Sequence, residues 1–487
     1  MLLFYALLLP PLLATAAAVT IRPYRRVVGG IGVAAAALSL VAAAALCLEV
    51  TAHGSLATSG PLADLWRVDA PSALMALCIA FVALLTNAAA PGLRGDDRED
   101  PGHTRRLRIY MNGFAFSMLL AVTVQNVALI WVAIEATTIA SALAIPLHRS
   151  KASVEASWKY LLVCSVGIAL AFAGTILAYF DFVATAGEVH GSLNWSTLRA
   201  AAPSLHPELL QLAFAFILVG YGTKAGLAPM HTWLPDAHSE APSPISAMMS
   251  GVLLAVAMYA IARWKAVIDA AVDPAFSNGL LIGFGLLSVA IGAFTLVRQR
   301  HYKRMLAYSS VEHMGLVAIG LALGPLGAFA AWLHVANHAV AKSASFLLAG
   351  RILHRYQTSE IGDVTGLLRV MPWTGSFFAI GILALIGLPP FGLFVSEFLL
   401  IQATVAGGKT WLGGLVLLFL LVAFVSLLSH LNRMLYGTPP EGVPAGERRA
   451  WPLIAFGAPA AILLVLGVVL PAPLTALIHQ TVRSLMP

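Results

Sequence analysis

The sequence predicts an all-α membrane protein with about 14 transmembrane helices. Hydrophobic residues make up 59% of the 487 residues and charged residues only 10%, whereas soluble proteins contain about 25% charged residues. The mean hydropathy is +0.86. Apolar runs as long as a bilayer requires recur along the whole chain, so no soluble domain is expected.

The individual spans follow from these apolar runs. We count 14, at roughly 2–21, 27–49, 71–91, 109–127, 129–147, 158–181, 210–233, 242–263, 277–297, 304–324, 326–350, 371–402, 410–434 and 451–471. The run at 371–402 is too long for one straight helix and contains Pro389-Pro390, so we expect two half-helices there. The first run lacks a basic start and 13 more follow it, which favours a span over a cleaved signal peptide.

Basic residues are distributed unevenly between alternate loops. Of the 29 lysines and arginines, 21 lie in one set of loops, six lie in the other set, and Lys224 and Lys342 lie within spans. The positive-inside rule places the richer set on the cytoplasmic side. We therefore expect a bacterial cytoplasmic membrane protein with both termini on the extracytoplasmic face. The net charge of +7 reflects this bias, and no dense basic patch indicates a nucleic-acid partner.

The sequence lacks the motifs of redox cofactors and nucleotides. Cys47, Cys78 and Cys164 lie singly in apolar runs, and no CxxC, Cys-rich cluster or c-type haem motif is present. An iron–sulfur cluster or haem is therefore not expected. There is also no Walker A sequence and no GxGxxG after a strand. We expect no cofactor in this chain.

The most informative residue is Lys224, which lies in an apolar run five residues before Pro229. A charged side chain at bilayer depth costs at least about 2.5 kcal/mol and commonly marks an ion pathway. A proline interrupts the helical hydrogen bonds, and such a break is tolerated only beside protein or a wet cavity. The pattern predicts a protonatable group beside a discontinuous helix, as in many transporters.

Further ionisable residues lie within the apolar runs and suggest a proton relay. The candidate proton pathway consists of Glu135, Lys224, Glu312, His334, His338, Lys342 and Glu397. His334, His338 and Lys342 recur at intervals of four residues, which places them on one helix face. Chains of carboxylates, amines and imidazoles inside a bundle are typical of proton relays, because burial disfavours their charged forms.

Each candidate also has a structural interpretation. Lys224 and Glu135 could form a static ion pair, Glu397 could anchor a helix, and the histidines could be hydrogen-bonded packing. His231, Asp236, His238 and Glu240 lie where the seventh span ends and predict a wet cytoplasmic channel mouth. A metal site among those four is not expected, because Pro235 and Pro242 interrupt a regular ligand helix.

A weak internal repeat is visible. Glu135 and Lys224 are 89 residues apart, Glu312 and Glu397 are 85 apart, and each pair ends at a span with prolines. Each unit holds five spans (4–8 and 9–13), and an odd number inverts the second copy. The expected organisation is a three-helix region at 1–108, a first repeat at 109–265, a second repeat at 277–435, and a span with tail at 436–487.

Three motifs carry a resemblance to a known family. GTKAGLAPMHTWLPDAHSEAPSPISAMMSG (222–251), KRMLAYSSVEHMG (303–315) and GLPPFGLFVSEF (387–398) resemble the proton-translocating, antiporter-like subunits of the respiratory complex I superfamily. Within that group, the chain looks most like the hydrogenase-4 or formate hydrogenlyase-type membrane component. The resemblance covers residues from about 60 to 435.

The resemblance implies roles for matching positions. Glu135 would be the fifth-span glutamate and Lys224 the seventh-span lysine, a pair whose separation controls protonation of the lysine, and Glu397 would be the exit residue. His338 and Lys342 would belong to the central polar axis. Complex I members usually carry a bridging lysine in the eighth span, but Ala255 stands there. Water, a histidine or a serine would have to fill that gap.

The expected function is proton translocation within a membrane oxidoreductase, coupled to electron transfer in partner subunits. The resemblance implies other membrane subunits as partners, together with a peripheral hydrogenase arm that holds a [NiFe] centre and iron–sulfur clusters. Three alternatives remain open: a multisubunit cation/proton antiporter, an inorganic-carbon uptake complex, and a scaffold that no longer pumps. The electron donor and the choice between H⁺ and Na⁺ do not follow from one chain.

Overall fold

The computed structural model describes residues 2–57, 65–91, 100–187, 191–447 and 451–486. Helices account for nearly all of the regular structure in these ranges. Those of the first part are α1 (Leu2–Thr20), α2 (Arg26–His53), α3 (Ala70–Ala89), α4 (Pro101–Thr123), α5 (Val127–Ala144), α6 (Lys151–Ala186), α7 (Trp195–Ala201), α8 (Pro207–Ala225), α9 (Leu234–Glu240), α10 (Ser243–Met248) and α11 (Leu254–Ile268).

The second part of the chain continues the same pattern. Its helices are α12 (Pro274–Val297), α13 (Tyr302–Leu321), α14 (Gly324–Tyr356), α15 (Leu367–Val370), α16 (Pro372–Leu385), α17 (Gly392–Ala406), α18 (Thr410–Leu435), α19 (Trp451–Val468) and α20 (Ala472–Leu485). A π-helical turn at Met249–Leu253 joins α10 to α11. Short 3-10 turns lie at Ile145–His148, Ala202–Ser204 and Met230–Trp233.

Many of the long helices begin at a polar side chain that accepts from the first backbone N–H groups. The residues in this capping position are Asp69, Asp100, Asn126, Ser150 and Asp273, which precede α3, α4, α5, α6 and α12. Such caps satisfy donors that have no partner inside the helix. The capping residues therefore define where these helices begin, and the length of the apolar run that follows defines how far each span extends.

The chain is a multi-pass membrane protein. Within its described part, nine helices are long and apolar enough to cross a bilayer, and the count is ten if the bent pair α19–α20 forms one span. The helices α4, α13 and α14 fall outside this set. They carry charged residues, among them Arg108, Glu312 and Lys342, so their length is sufficient but their composition is less apolar.

Both helix breaks expected from the prolines are present. The seventh span consists of α8 and α9, which are separated by the loop around Pro229 and a 3-10 turn. The expected run at 371–402 consists of α16 and α17, separated by Gly387–Phe391. Because proline donates no hydrogen bond and crowds the preceding turn, neither helix can continue through its break.

The prediction of an all-α chain needs one correction. A small antiparallel hairpin pairs β1 (Ser55–Ala57) with β2 (Arg67–Asp69). It lies between the end of α2 and the start of α3, outside the spans, where water or headgroups can satisfy an open edge. The expected boundary at residue 108 also falls inside α4, because the Asp100 cap starts that helix earlier than the apolar run indicates.

Glycines allow the closest helix contacts. A Cβ atom at Gly220 of α8 would meet backbone atoms of Gly167 and Ala171 in α6 at 2.5 Å, and one at Gly285 of α12 would meet Gly315 O of α13 at 2.8 Å. Small residues at such crossings let helices pack closely in membranes, where hydrophobic driving force between them is weak. The α6–α8 pair is important because α8 carries Lys224.

Candidate functional site

Lys224 lies at the end of α8 and is fully buried. The helix stops one residue later, where Gly226 adopts a left-handed conformation with φ of +74° that favours glycine. The Lys224 ammonium donates to Thr138 Oγ1 at 2.8 Å and to Tyr160 Oη at 2.5 Å. Both hydrogen-bond partners are neutral hydroxyls, so no carboxylate is bonded directly to the amine.

Glu135 lies on α5, one turn before Thr138, and is half-buried. Its Oε1 accepts from Ser165 Oγ at 2.9 Å, and its buried Oε2 has no hydrogen-bond partner in the described structure. Glu135 and Lys224 thus lie in the same group of helices, as the sequence indicates, but their side chains do not form a direct ion pair.

Tyr160 connects the lysine to further hydroxyl groups. Its Oη also lies 2.7 Å from Ser141 Oγ, which donates to the Thr137 carbonyl at 2.6 Å. The ring of Tyr160 packs at a tilt against Trp233 in the segment after the helix break, with a centroid distance of 4.8 Å. The tyrosine therefore links Lys224 to α5 and to both sides of the break.

Lys342 is the matching buried cation of the second half. It lies on α14, fully buried, and donates to the Leu306 carbonyl at 2.8 Å and to the Ser309 hydroxyl. Both acceptors belong to α13, which also carries the buried Glu312 one turn further on. Like Lys224, this amine has neutral hydrogen-bond partners.

A histidine cluster lies farther along the same two helices. His313 Nδ1 and His334 Nε2 are 3.0 Å apart, and His334 Nδ1 lies 2.9 Å from Ser396 Oγ on α17. The His338 ring centroid is 5.2 Å from that of His313. Glu397 completes the group, because its carboxylate lies within 4.8 Å of ligand atoms of His313 and His334.

The second break holds Glu397 in this position. Gly387 has φ of +67°, and a Cβ atom there would lie 2.0 Å from Glu397 Oε2. Only glycine leaves room for the carboxylate and adopts this backbone conformation without strain. The broken segment and the carboxylate therefore form one structural unit.

A serine pair lies near Ala255, the position where a bridging lysine was expected. Ala255 is buried in α11, but Ser250, in the π-helical turn just before it, lies 2.7 Å from Ser310 Oγ on α13. Ser310 also donates to the Leu306 carbonyl at 3.1 Å, which is the acceptor that Lys342 uses. The eighth span is thus hydrogen-bonded to the second polar group through hydroxyls.

The expected channel mouth is only partly open. Asp236 on α9 is half-exposed, and it pairs with Lys159 of α6 at 2.5 Å and with Arg304 of α13. His231 is also half-exposed. His238, in contrast, is fully buried, stacks on Phe346, and has no hydrogen-bond partner at either ring nitrogen in the described structure. It lies beneath the mouth because the short helix α9 turns it inward.

Two other buried cations differ from Lys224 and Lys342 by forming ion pairs. Arg263 of α11 forms a two-pronged ion pair with Asp69, and Lys265 pairs with Asp269 one turn away. Both pairs lie at the end of the bundle where α11 finishes, and both are nearly inaccessible to solvent. The Arg263–Asp69 pair joins α11 to the start of α3, whereas Lys265 and Asp269 lie at the end of one helix, where Asp269 also accepts from Ser277 of α12.

Several of these groups are missing from the sequence-based pathway. Tyr160, Ser250, Ser310 and Ser396 are hydroxyl residues, which are common in membrane helices and carry no signal of their own. His313 adjoins Glu312 and could have been included from that position alone. Tyr160 is identified only by its contact with Lys224. The two residues lie on different helices, so this contact is visible only in the folded structure.

The comparison with known protein families concerns the region that contains these clusters. Residues 124–425 match the family described as NADH:quinone oxidoreductase/Mrp antiporter, TM. The chain belongs to this family. The matched range spans more than half of the chain, so the resemblance drawn from the three sequence motifs is confirmed.

Individual members of the family support the same conclusion. The Hydrogenase-4 component F homolog of Methylacidiphilum infernorum is 41% identical over 325 residues, which cover 66% of this chain and 68% of that protein. Hydrogenase-4 component B of Escherichia coli is 32% identical over 352 residues, covering 68% of this chain and 50% of that protein. A chain of respiratory complex I from Thermus thermophilus with bound NADH superimposes with a TM-score of 0.83 at 25% identity, over 100% of both chains.

Proposed function

We propose that this chain is the proton-translocating membrane subunit of a respiratory hydrogenase or NADH dehydrogenase-type complex. The observation that carries the proposal is Lys224, a fully buried amine whose hydrogen-bond partners are two neutral hydroxyls. A static structural lysine at this depth would be expected to have a carboxylate partner, as Lys265 does. An amine held by neutral groups can lose and regain its proton without leaving an unpaired carboxylate behind.

The route that we propose begins at Glu135 and Lys224. A shift in the distance or protonation of this pair would release the lysine proton toward the polar axis, which continues through Lys342, Glu312, His334 and His338. The Ser250–Ser310 hydroxyls bridge the two halves, because hydroxyl groups can donate and accept in turn. The proton would leave the chain near Glu397.

The energy for each step must come from outside the chain. Moving one charge across the membrane costs about 2.3 kcal/mol for each 100 mV of potential. We propose that electron transfer in partner subunits supplies this energy, and that a [NiFe] centre and iron–sulfur clusters lie in those partners. The relatives named hydrogenase-4 components support this assignment, and no redox cofactor is proposed for this chain.

One face of the first half supports a partner inside the membrane. Glu135 is half-buried at mid-helix, and the neighbouring side chains of Val132 and Ile139 are about half exposed (50% and 52%). A carboxylate that faces lipid is costly. A second membrane subunit that covers this face would shield Glu135, and its movement would reach the Glu135–Lys224 pair directly.

The proposed architecture has 14 spans arranged as two inverted five-span repeats after a three-helix region. We include α4, α13 and α14 as spans because their polar side chains face neighbouring helices rather than lipid: Arg108, Glu312 and Lys342 are all buried. The breaks after Lys224 and before Glu397 occupy corresponding spans, seven and twelve. Both termini would lie on the extracytoplasmic face.

A cation/proton antiporter is the second candidate, because the family description itself includes Mrp antiporters. In that case an ion gradient, and not electron transfer, would drive the same proton route. An inorganic-carbon uptake complex is a third candidate, and a non-pumping scaffold is an outcome that the experiments below distinguish.

The test uses membranes that contain the complete complex with Lys224→Met. We expect donor-driven proton pumping to be lost, while the redox activity of the partner subunits with an artificial acceptor persists. The matched control is Lys151→Met, an exposed lysine at the start of α6, which should pump normally. Pumping by Lys224→Met at the rate of the control would contradict the proposed mechanism.

Two further results would favour another function. Proton movement driven by a sodium gradient without any electron donor would assign the chain to an antiporter. If deletion of the chain left the pumping stoichiometry of the complex unchanged, the chain would be a scaffold.

A further inference from the structure

Three helices bring potential metal ligands together inside the bundle. His313 of α13, His334 of α14 and Glu397 of α17 each offer a ligand atom, and these atoms all lie within 4.8 Å of one another. The three residues are 1%, 3% and 8% exposed. Two imidazoles and one carboxylate form the ligand set of many zinc sites that keep a fourth position open.

Several polar atoms in this cluster lack a partner. Glu397 Oε1, His313 Nε2 and both ring nitrogens of His338 are buried without a hydrogen bond in the described structure. Each buried unsatisfied group costs about 1–3 kcal/mol. A divalent cation could satisfy several of these atoms at once, because it accepts lone pairs from several ligands.

The imidazole orientations also fit a metal. Ser396 Oγ fixes His334 through Nδ1, so that Nε2 points toward His313 Nδ1 at 3.0 Å. Metal-bound histidines are commonly oriented by such a bond to the other ring nitrogen. Two nitrogens that bind one tetrahedral zinc ion at about 2.0–2.1 Å each lie about 3.3 Å apart, so only a small separation of the rings is needed.

We propose that His313, His334 and Glu397 form a binding site for a first-row divalent metal ion, with Zn²⁺ as the best match. Imidazole ligands favour zinc over Mg²⁺ or Ca²⁺, which prefer oxygen. His338 is close enough to His313 to supply the fourth ligand after a side-chain movement, and water is the alternative.

The helix break gives the site a route to the surface. Pro389 and Pro390 in the break are exposed in this chain, and Gly387 contacts the Glu397 carboxylate. The Glu397 end of the site therefore adjoins a helix break that reaches the protein surface.

Zinc binding would interrupt proton transfer through the cluster. The proton shared between His313 Nδ1 and His334 Nε2 leaves when both nitrogens bind the metal, because ligands must be unprotonated on the bound atom. Glu397 Oε1 would be occupied as well. Inhibition of proton movement by zinc rests on the proposed function, whereas zinc binding itself does not.

The test measures zinc binding to the full chain purified in detergent. We expect about one tightly held zinc ion per chain, with nitrogen and oxygen ligands and no sulfur in X-ray absorption spectra. His334→Gln and Glu397→Gln should each weaken binding by about 10- to 100-fold or more. The matched control is the double variant His103→Gln/His148→Gln, a second histidine pair with ring centroids 5.0 Å apart, which should bind zinc normally.

The outcomes separate this inference from the proposed function. Unchanged zinc binding in both His334→Gln and Glu397→Gln, or sulfur ligands in the wild-type spectrum, would overturn the metal site. The spectrum of the wild-type chain needs no variant, so a folding defect cannot mask the result. If zinc binds as expected but proton pumping continues at saturating zinc, the metal site stands and the route through this cluster fails.

Discussion

At the scale of single residues, the buried cations fall into two classes. Arg263 and Lys265 have carboxylate partners, whereas Lys224, Lys303 and Lys342 have hydroxyl or carbonyl partners. Removal of one partner from the first class would leave an uncompensated charge. An amine of the second class can change its protonation state in place, which is what a relay requires.

The Ser250–Ser310 contact gives a prediction at this scale. Ser250→Ala removes the hydroxyl that joins the eighth span to α13. We expect proton pumping to fall by about tenfold, which corresponds to about 1.4 kcal/mol in the barrier. Stability should change little, by about 0.6 kcal/mol, because hydrogen bonds between membrane helices are worth about that much. Donor-driven pumping and thermal unfolding of the purified complex measure the two effects.

The control for this prediction is Ser343→Ala. Ser343 is also fully buried, but its hydroxyl donates only to the Ala339 and Val340 carbonyls of its own helix. We expect normal pumping in that variant. If both serine variants pump equally, hydroxyl transfer at Ser250 is not part of the route.

At the scale of elements, the two broken spans place functional groups at helix ends. Lys224 lies one residue before the end of α8, and Glu397 lies in the second turn of α17. A break at this depth leaves backbone groups that need partners, which neighbouring helices supply. The Ala228 N–H, for example, donates to Ser288 Oγ of α12 at 2.9 Å. The first break is therefore held by a helix of the second half of the bundle.

Gly387→Ala tests the second break. The new methyl group would lie 2.0 Å from Glu397 Oε2 in the present structure, and alanine disfavours the left-handed conformation by about 1 kcal/mol. We expect Glu397 to be displaced and pumping to fall by at least about tenfold. Proton pumping of the assembled complex is the measurement.

Gly283→Ala is the matched control for the break. Gly283 lies in α12, where a Cβ atom would meet nothing within 4 Å. Normal pumping is expected there, with equal or higher stability, because alanine favours helix. Wild-type pumping by Gly387→Ala would argue against a role for the position of Glu397.

At the scale of the whole molecule, contacts between distant segments fit the orientation indicated by the basic loops. Arg199 of α7 donates to the carbonyls of Ser484 and Met486 at the end of α20. Gln480 donates to the Thr51 carbonyl at the end of α2, at 2.9 Å. The loop before α8, the end of α2 and the C-terminal helix therefore lie on one side of the bundle.

Reporter fusions test which side this is. Alkaline phosphatase fused after the last residue should be active, because it folds only outside the cytoplasm. The same enzyme fused after Thr438, in the loop that follows α18, should be inactive. The opposite pattern would reverse the proposed orientation, and a matched set of green fluorescent protein fusions should give the complementary result.

The membrane class, the family and most of the charged candidates could be read from the sequence alone. Apolar runs, prolines and isolated charges are local features of the sequence. A buried charge or a helix break costs so much free energy in a bilayer that even a single such residue is informative. The positions of both helix breaks were therefore predicted correctly, and so was the burial of Lys224, Lys342 and Glu397. The broad family followed from motifs that are contiguous in the chain.

The partners of these groups, in contrast, depend on how the helices pack. Tyr160 lies 64 residues before Lys224, and Ser250 lies 60 before Ser310, so no periodicity connects them. The inward turn of His238 and the absence of a direct Glu135–Lys224 ion pair also depend on how helices pack. Hydrogen bonds act over about 3 Å, whereas the apolar pattern of a span fixes its depth in the membrane but neither its rotation nor its neighbours.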